Sequence, residues 1–318
     1  MPATGSSAQN NGFLHASPAP TAREKFCILR KGAKNAMLIP AAEQDLHRYG
    51  HPAYLLSQDP TASCYPSYRD GIKTEADFLA AARQALESDT AELLLYVQGG
   101  APTGWLSYFW LSEDRYLQLD SCCIADGTAQ ALTELLDRLS ARFPGYTLYF
   151  GYPAENRVAA RTLFAHGFSL LESSWDHAFS FAQPGPERLP PNVRRITREC
   201  FSLFRALYRP EPGTYWTCDR ILAALEDWII FVSGPEDAPE AAILLTGADR
   251  RYEVFGTAYS GGSFREDSLR TLLTACLAIC RQQGAAHLTF FCSAEERPVL
   301  SALGFRCIGQ YMLYSKAL

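Results

Sequence analysis

No apolar run in this sequence is long enough to span a bilayer; stretches such as Leu93–Val97 fall far short of the ~18 residues that a membrane helix needs. An apolar leader core is also missing, because the first 25 residues are small and polar, with Gly5, Ser6, Ser7, Asn10 and Asn11 among them. Basic charge is not in excess: 29 Lys and Arg stand against 34 Asp and Glu, a net −5. A general nucleic-acid binder needs a basic footprint to displace phosphate counterions, so that class is disfavoured. The ten cysteines form no C-x-x-C pair and no Cys/His spacing suited to zinc. Cys122, Cys123, Cys276, Cys280, Cys292 and Cys307 sit in apolar runs, where a free thiol packs as a small hydrophobe. The expectation is a reduced, cytoplasmic protein with residues 1–25 as a loose arm and with no metal, membrane or nucleic-acid partner.

What is present is 318 residues, 47% of them hydrophobic, enough chain for two cores. The sharpest compositional break is Gln183-Pro184-Gly185-Pro186-Glu187-Arg188-Leu189-Pro190-Pro191. Prolines at that density exclude a helix or a central strand and make a semi-rigid spacer. We therefore divide the chain into 26–181 and 193–318, joined by a linker over 182–192. In the first half, Phe26–Arg30 reads as a strand and Glu43–Arg48 as a short helix, followed by a turn-rich stretch over 50–71. Thr74 with Asp77 is a capping box for the next helix. Leu93–Gln98 and Gly104–Leu111 read as a hairpin turning at Gly99-Gly100, Tyr116–Ile124 as the fourth strand, and Leu132, Leu135, Leu136 and Leu139 as a helical stripe. Two short strands, Phe168–Leu171 and His177–Phe181, close this half. The second half repeats the order, ending on strands at Phe305–Ile308 and Tyr311–Tyr314.

The repeat extends to residues. Leu148-Tyr149-Phe150, Ala154-Glu155 and Gly167-Phe168 parallel Leu288-Thr289-Phe290-Phe291, Ala294-Glu295 and Gly304-Phe305. The segment Glu155-Asn156-x-x-Ala159 leading to Gly167-Phe168 resembles the fourth-helix motif of the GCN5-related N-acetyltransferases, and Leu303–Tyr311 with Tyr314 and Lys316 resembles their C-terminal end. The resemblance implies an α/β fold of two tandem acyl-CoA N-acyltransferase-like domains, each a mixed twisted sheet flanked by helices. It implies a wedge where the middle strands splay apart, in which acetyl-CoA, as cosubstrate, lays its pantetheine along the fourth strand. The pyrophosphate then rests on amides at the following helix N-terminus.

Carried onto this chain, the cofactor positions are Cys122, Ile124, Gly127, Thr128, Gln130 and Asn156 in the first copy, and Gly261, Gly262 and Arg265 in the second. The pyrophosphate loops depart from the family pattern. Ile124-Ala125-Asp126-Gly127 keeps one glycine and adds an acid, while Ser260-Gly261-Gly262 with Arg265 makes an amide-rich, basic nest. The family's fourth-helix tyrosine, which protonates the departing thiolate, is replaced by Leu163 and Leu300. An amine acceptor has to lose a proton before it attacks, so a carboxylate base is sought. Asp120 on the fourth strand, read as sharing a face with Gln118 and Cys122, and Glu253 on its counterpart are the candidates, set against an ordinary exposed strand charge. His47 and His51 are four apart, but Gly50 and Pro52 are expected to end that helix before both could share a metal. Tyr65, Tyr68 and Tyr108-Phe109-Trp110 are either acceptor-pocket lining or core. The expected function is transfer of an acetyl group to an amine of a small molecule, with the cosubstrate on the first copy because it keeps Asn156. The alternative is a non-catalytic scaffold of the same fold.

Overall fold

In a computed structural model, residues 36–65, 68–210, 214–248 and 250–318 are described; the N-terminal arm and the strand expected at Phe26–Arg30 lie outside them. The first half contributes β1 (Met37–Pro40), α1 (Glu43–Ser57), α2 (Glu75–Glu87), β2 (Ala91–Gln98), β3 (Ala101–Leu111), β4 (Tyr116–Ile124), α3 (Thr128–Arg142), β5 (Thr147–Pro153), α4 (Arg157–Ala165) and β6 (Ser169–Ser180). The second contributes β7 (Val193–Arg195), α5 (Phe201–Leu207), α6 (Cys218–Ala223), β8 (Ile229–Ser233), β9 (Ala241–Ala248), β10 (Arg251–Tyr259), α7 (Glu266–Gln282), β11 (His287–Cys292), α8 (Arg297–Ala302) and β12 (Arg306–Ala317).

Local chemistry accounts for most of these elements. Thr74 Oγ1 accepts from the Asp77 amide while Asp77 Oδ2 accepts from the Thr74 amide, so α2 starts on a reciprocal cap. Gly99 and Gly100, at φ 65° and 81°, supply the left-handed pair that a two-residue hairpin needs between β2 and β3. Leu132, Leu135, Leu136 and Leu139 are buried along one side of α3, as their spacing predicts.

The helix expected to stop at Arg48 instead runs to Ser57 through Gly50 and Pro52. Proline inside a helix costs about 3 kcal/mol in isolation. Here Leu46, Ala53 and Leu56 are buried on α1, and Gly50 lets α2 approach so closely that a Cβ would stand 2.4 Å from Leu79 Cδ2. Tertiary packing thus overrides the breaker.

The strands form one twelve-stranded sheet in the order β1-β2-β3-β4-β5-β12-β6-β11-β10-β9-β8-β7, parallel only at β4–β5 and β10–β11. Each half donates its last strand to the other. β12 pairs with β5 from Tyr311 to Ala317, β6 pairs with β11 from Trp175 to Ser180, and the two donated strands pair with each other. Two separate sheets were expected. The closing strands read as two short pieces per half are instead single twelve-residue strands, β12 being interrupted by a register shift between Cys307 and Gly309. In the first half α1 and α2 cover one face of the sheet and α3 and α4 the other; in the second, α5 and α6 lie opposite α7 and α8. The proline-rich linker runs past the end of α7, where Arg281 donates to Gln183 O and Gln282 to Glu187 O.

Candidate functional site

In both halves the parallel pair at the centre of the copy separates after a few residues. β4 and β5 stay paired only to Gln118 and Tyr149, and β10 and β11 only to Val254 and Phe290. A bulge marks the separation in each. Asp120 is skipped in the β3–β4 register and Phe255 in the β9–β10 register. The bulges align the copies: Asp120 corresponds to Phe255, Gln118 to Glu253, Gly127 to Gly262 and Gln130 to Arg265.

Asp120 faces α2, opposite Leu117 and Leu119 as read, and the bulge corrects the faces assigned to Cys122 and Cys123. Alternation restarts after it, so Cys122 joins Leu117 and Leu119 in the core under α3, while Cys123 packs on the α1–α2 side. Glu253, two residues before the other bulge, is not the equivalent of Asp120.

The first wedge is filled by the chain itself. Residues 62–65, from the connection between α1 and α2, lie along β4 as an added antiparallel strand, with Ser63 bridged to Cys123. Cys64 N donates to Cys122 O at 2.8 Å, Ile124 N donates to Ala62 O at 2.9 Å, and Tyr65 N donates to Gly151 O on β5 at 2.9 Å. Asn156 caps α4 by accepting from Ala159 N, and its Nδ2 donates to Ser63 O at 3.2 Å. The backbone groups of Cys122 and Ile124, expected to pair with pantetheine, are therefore bonded to this internal strand, and Asn156 clamps it. Above them, Gly127 at φ 78° opens α3, with Thr128 and Gln130 in its first turn. The phenol of Tyr96 lies 3.2 Å from where a Gly127 Cβ would stand. Asp120 takes a hydrogen bond from Ser107 Oγ at 3.2 Å, and burial raises its pKa. It lines a cleft of about 250 Å³ beneath α2 with Gln84, Ser88 and Thr90. Tyr65 and Tyr68 pack as core, Tyr65 edge-on to Tyr311 at 4.9 Å and Tyr68 to Phe78 at 5.1 Å.

Among the described residues the second wedge is open. None of them adds a strand between the separated ends of β10 and β11. A cleft of about 480 Å³ runs over Thr257, Ala258, Tyr259 and the turn Ser260-Gly261-Gly262, walled by Ala206–Arg209. Gly261 and Gly262 adopt φ 75° and 73°, and a Cβ on either would project into empty space. That left-handed pair opens the amide nest before α7. Arg265, at the α7 N-cap, lines an adjoining cleft of about 410 Å³. The back of this wedge is bridged by Glu296, a residue that sequence reasoning missed. It stands where Asn156 stands in the first copy, is 7% exposed, and accepts from Thr257 Oγ1 at 2.9 Å, Tyr259 Oη at 3.2 Å and Ser293 N at 2.8 Å. The alignment Ala154-Glu155-Asn156 with Ala294-Glu295-Glu296 was the available signal.

At the other end of β10, at the seam between the halves, lies a cleft of about 650 Å³. Glu253, Thr289 and His287 lie along its floor, Glu226 and Asp227 belong to the second half, and Ile72 and Lys73 come from the first. Glu253 is open to the cleft but ringed by protein; the loss of surrounding water raises its pKa, and Lys73 opposes the rise. Along β10, Phe255 and Gly256 stand between the seam cleft and the cleft over Thr257–Gly262. A Cβ at Gly256 would meet nothing within 4 Å.

Leu163 and Leu300 are fully buried in their cores, which leaves the phenols of Tyr208 and Tyr259 as the acids lining the open wedge. Burial raises the pKa of both, so each carries its proton. His47 and His51 do share α1, but His51 pairs with Glu75 at 2.9 Å, and no group of three metal-ligating side chains converges among the described residues. No described helix is long and apolar enough to cross a membrane.

No known family profile matches the sequence, and no curated protein matches it. Solved structures do. A GCN5-related N-acetyltransferase from Sphaerobacter thermophilus superposes with a TM-score of 0.60 at 14% identity, covering 89% of this chain and 95% of its own. A tandem GNAT protein from the clavulanic acid biosynthesis pathway gives 0.50 at 12%, covering 89% and 98%. The glucosamine N-acetyltransferase region of a fungal multi-domain GH3 β-N-acetylglucosaminidase gives 0.54 at 10%, covering 90% of this chain and 38% of that one. The splayed β4–β5 and β10–β11 pairs, met twice in one chain and matched along nearly its whole length, are those of the GCN5-related N-acetyltransferase fold in two tandem copies.

Proposed function

We propose that the protein is an acyl-CoA-dependent N-acyltransferase that takes acetyl-CoA at its second copy and transfers the acetyl group to an amine of a small molecule. One observation carries this reading. A single strand, β10, borders an open amide-rich wedge at Thr257–Gly262 and a separate polar cleft at Glu253, with unfilled space at Gly256 between them. That is the arrangement two substrates need to meet from opposite sides. The copy first favoured on its Asn156 is set aside, since its wedge holds residues 62–65.

In this reading the pantetheine lies along the unpaired edge of β10 and the pyrophosphate on the amides of 261–263, with Arg265 nearby. Glu253 takes a proton from the acceptor ammonium, directly or through water, and the amine attacks the thioester carbonyl with no covalent enzyme intermediate. The C–N bond forms as the C–S bond breaks, and the thiolate is protonated by Tyr208, Tyr259 or water. Titrating the full chain with acetyl-CoA and following CoA release against an amine panel tests the reading. Binding and amine-dependent thiol release are expected. Absence of binding at high micromolar acetyl-CoA leaves the scaffold alternative.

A further inference from the structure

The seam cleft is built by both copies. Ile72 and Lys73 reach it from the connection leading into α2, and that connection is anchored on the second half: Arg251 forks onto Asp77 at 2.9–3.0 Å, and Arg306 donates to Asp70 O. Its charges are not balanced internally. Lys73 is held by Asp70 at 2.5 Å and Arg251 by Asp77, both first-half acids. Burial lowers the pKa of His287, which favours its neutral form. Glu226, Asp227 and Glu253 have no ion pair among the described residues, against a single unpaired Arg195. A second observation points the same way. Asp176, on the sheet face of Thr289 and Glu253, is 5% exposed and has no hydrogen bond or ion pair among the described residues. Burial still raises its pKa although Lys73 and Arg69 oppose the rise, and a further cation nearby relieves the cost of its charged form.

We infer that the seam cleft takes a hydrophilic acceptor carrying two or more cationic amines, one placed at Glu253 and another at Glu226 and Asp227. This rests on the acyltransfer reading for its chemistry but not for its binding. The substrate ammonium loses one proton to Glu253, the amine nitrogen gains the acetyl carbon, the thioester sulfur leaves, and the nitrogen's second proton ends on CoA thiol. The distal ammonium is unchanged.

Calorimetry of the full chain with 1,4-diaminobutane and with n-butylamine, without acetyl-CoA, tests the binding directly. The diamine is expected to bind at least about tenfold more tightly, the discrimination one additional charge contact supplies in a partly desolvated cleft. E226Q/D227N is expected to reduce that preference to about threefold or less, and K73M to strengthen diamine binding about threefold by removing an opposing charge. Equal binding of the two amines, an undiminished preference in E226Q/D227N, or tighter binding of an α-amino acid than of the diamine overturns the inference. These results are independent of acetyl-CoA. Diamine binding in a protein that ignores acetyl-CoA would sink the acyltransfer reading and leave this one standing.

Discussion

The two wedges differ in what fills them. In the first, a segment of the chain's own backbone satisfies β4 through Cys122 O and Ile124 N and reaches β5 at Gly151 O. In the second, no described residue pairs with the corresponding edge of β10, and a carboxylate side chain, Glu296, bridges its back. A splayed strand pair exposes unpaired amides and carbonyls, which are costly to bury unpaired. The first copy meets that cost with an internal strand; in the second, the proposed function assigns it to a ligand. The same fold therefore gives a sealed half and an open half, and the exchanged strands β6 and β12 lock the sealed one against the open one's cleft.

The comparison breaks most visibly at the bases. Glu253→Gln is expected to lower kcat by about two to four orders of magnitude, the usual range for a lost general base, while Asp120→Asn leaves turnover within a factor of about two. Because burial raises the pKa of Glu253, the acidic limb of the wild-type pH–rate profile should lie at a higher pH than an unperturbed glutamate would give. An unchanged kcat in the glutamine variant removes Glu253 from the chemistry. Next comes the space between the clefts. Gly256→Val places methyls where nothing stands and is expected to cut acetyl transfer about a hundredfold without unfolding, whereas Ser121→Val, its counterpart on β4, has no effect on transfer.

The seam itself titrates. Burial raises Asp176 to a pKa of about 7, above its unfolded value, so the folded state holds the extra proton between roughly pH 4 and 7. Stability is highest below that window and falls as pH rises through it. Asp176→Asn should abolish the fall and raise stability at pH 8 by on the order of 2 kcal/mol, with little change at pH 4, as read by denaturant melts. The smallest effect concerns the clamp. Asn156→Ala removes a helix cap and the bond to Ser63 O and should cost about 1–2 kcal/mol of stability without altering acetyl-CoA affinity. A loss of affinity instead would restore the first wedge as a cofactor site.

Much of the fold was legible in residue order. Thr74 and Asp77, Gly99-Gly100 and the leucine stripe of α3 each carry local chemistry strong enough to read directly. Pro52 misled because its penalty is local, whereas the burial of Leu46, Ala53 and Leu56 that outweighs it depends on α2. The strand exchange left no local trace, since β6 and β12 have the same pattern whichever neighbour they pair with. The site was half legible. Glu253 and the Gly261-Gly262 turn stand out in the sequence, and Asp120 lies opposite Leu117 and Leu119 as read, but Cys122 and Cys123 were placed on the wrong faces because a bulge cannot be seen in alternation. Asn156 caps α4, as its place ahead of that helix allows, while its amide also donates to Ser63 O, a contact spanning 93 residues that no local pattern shows.

A crystal structure of the full chain with acetyl-CoA tests the central claim most directly. One cosubstrate per chain is expected, its pantetheine along Thr257–Tyr259 and its pyrophosphate at Gly261-Gly262, with residues 62–65 still bonded to β4. Density in the first wedge, with Cys64 and Ala62 displaced from Cys122 and Ile124, would contradict it.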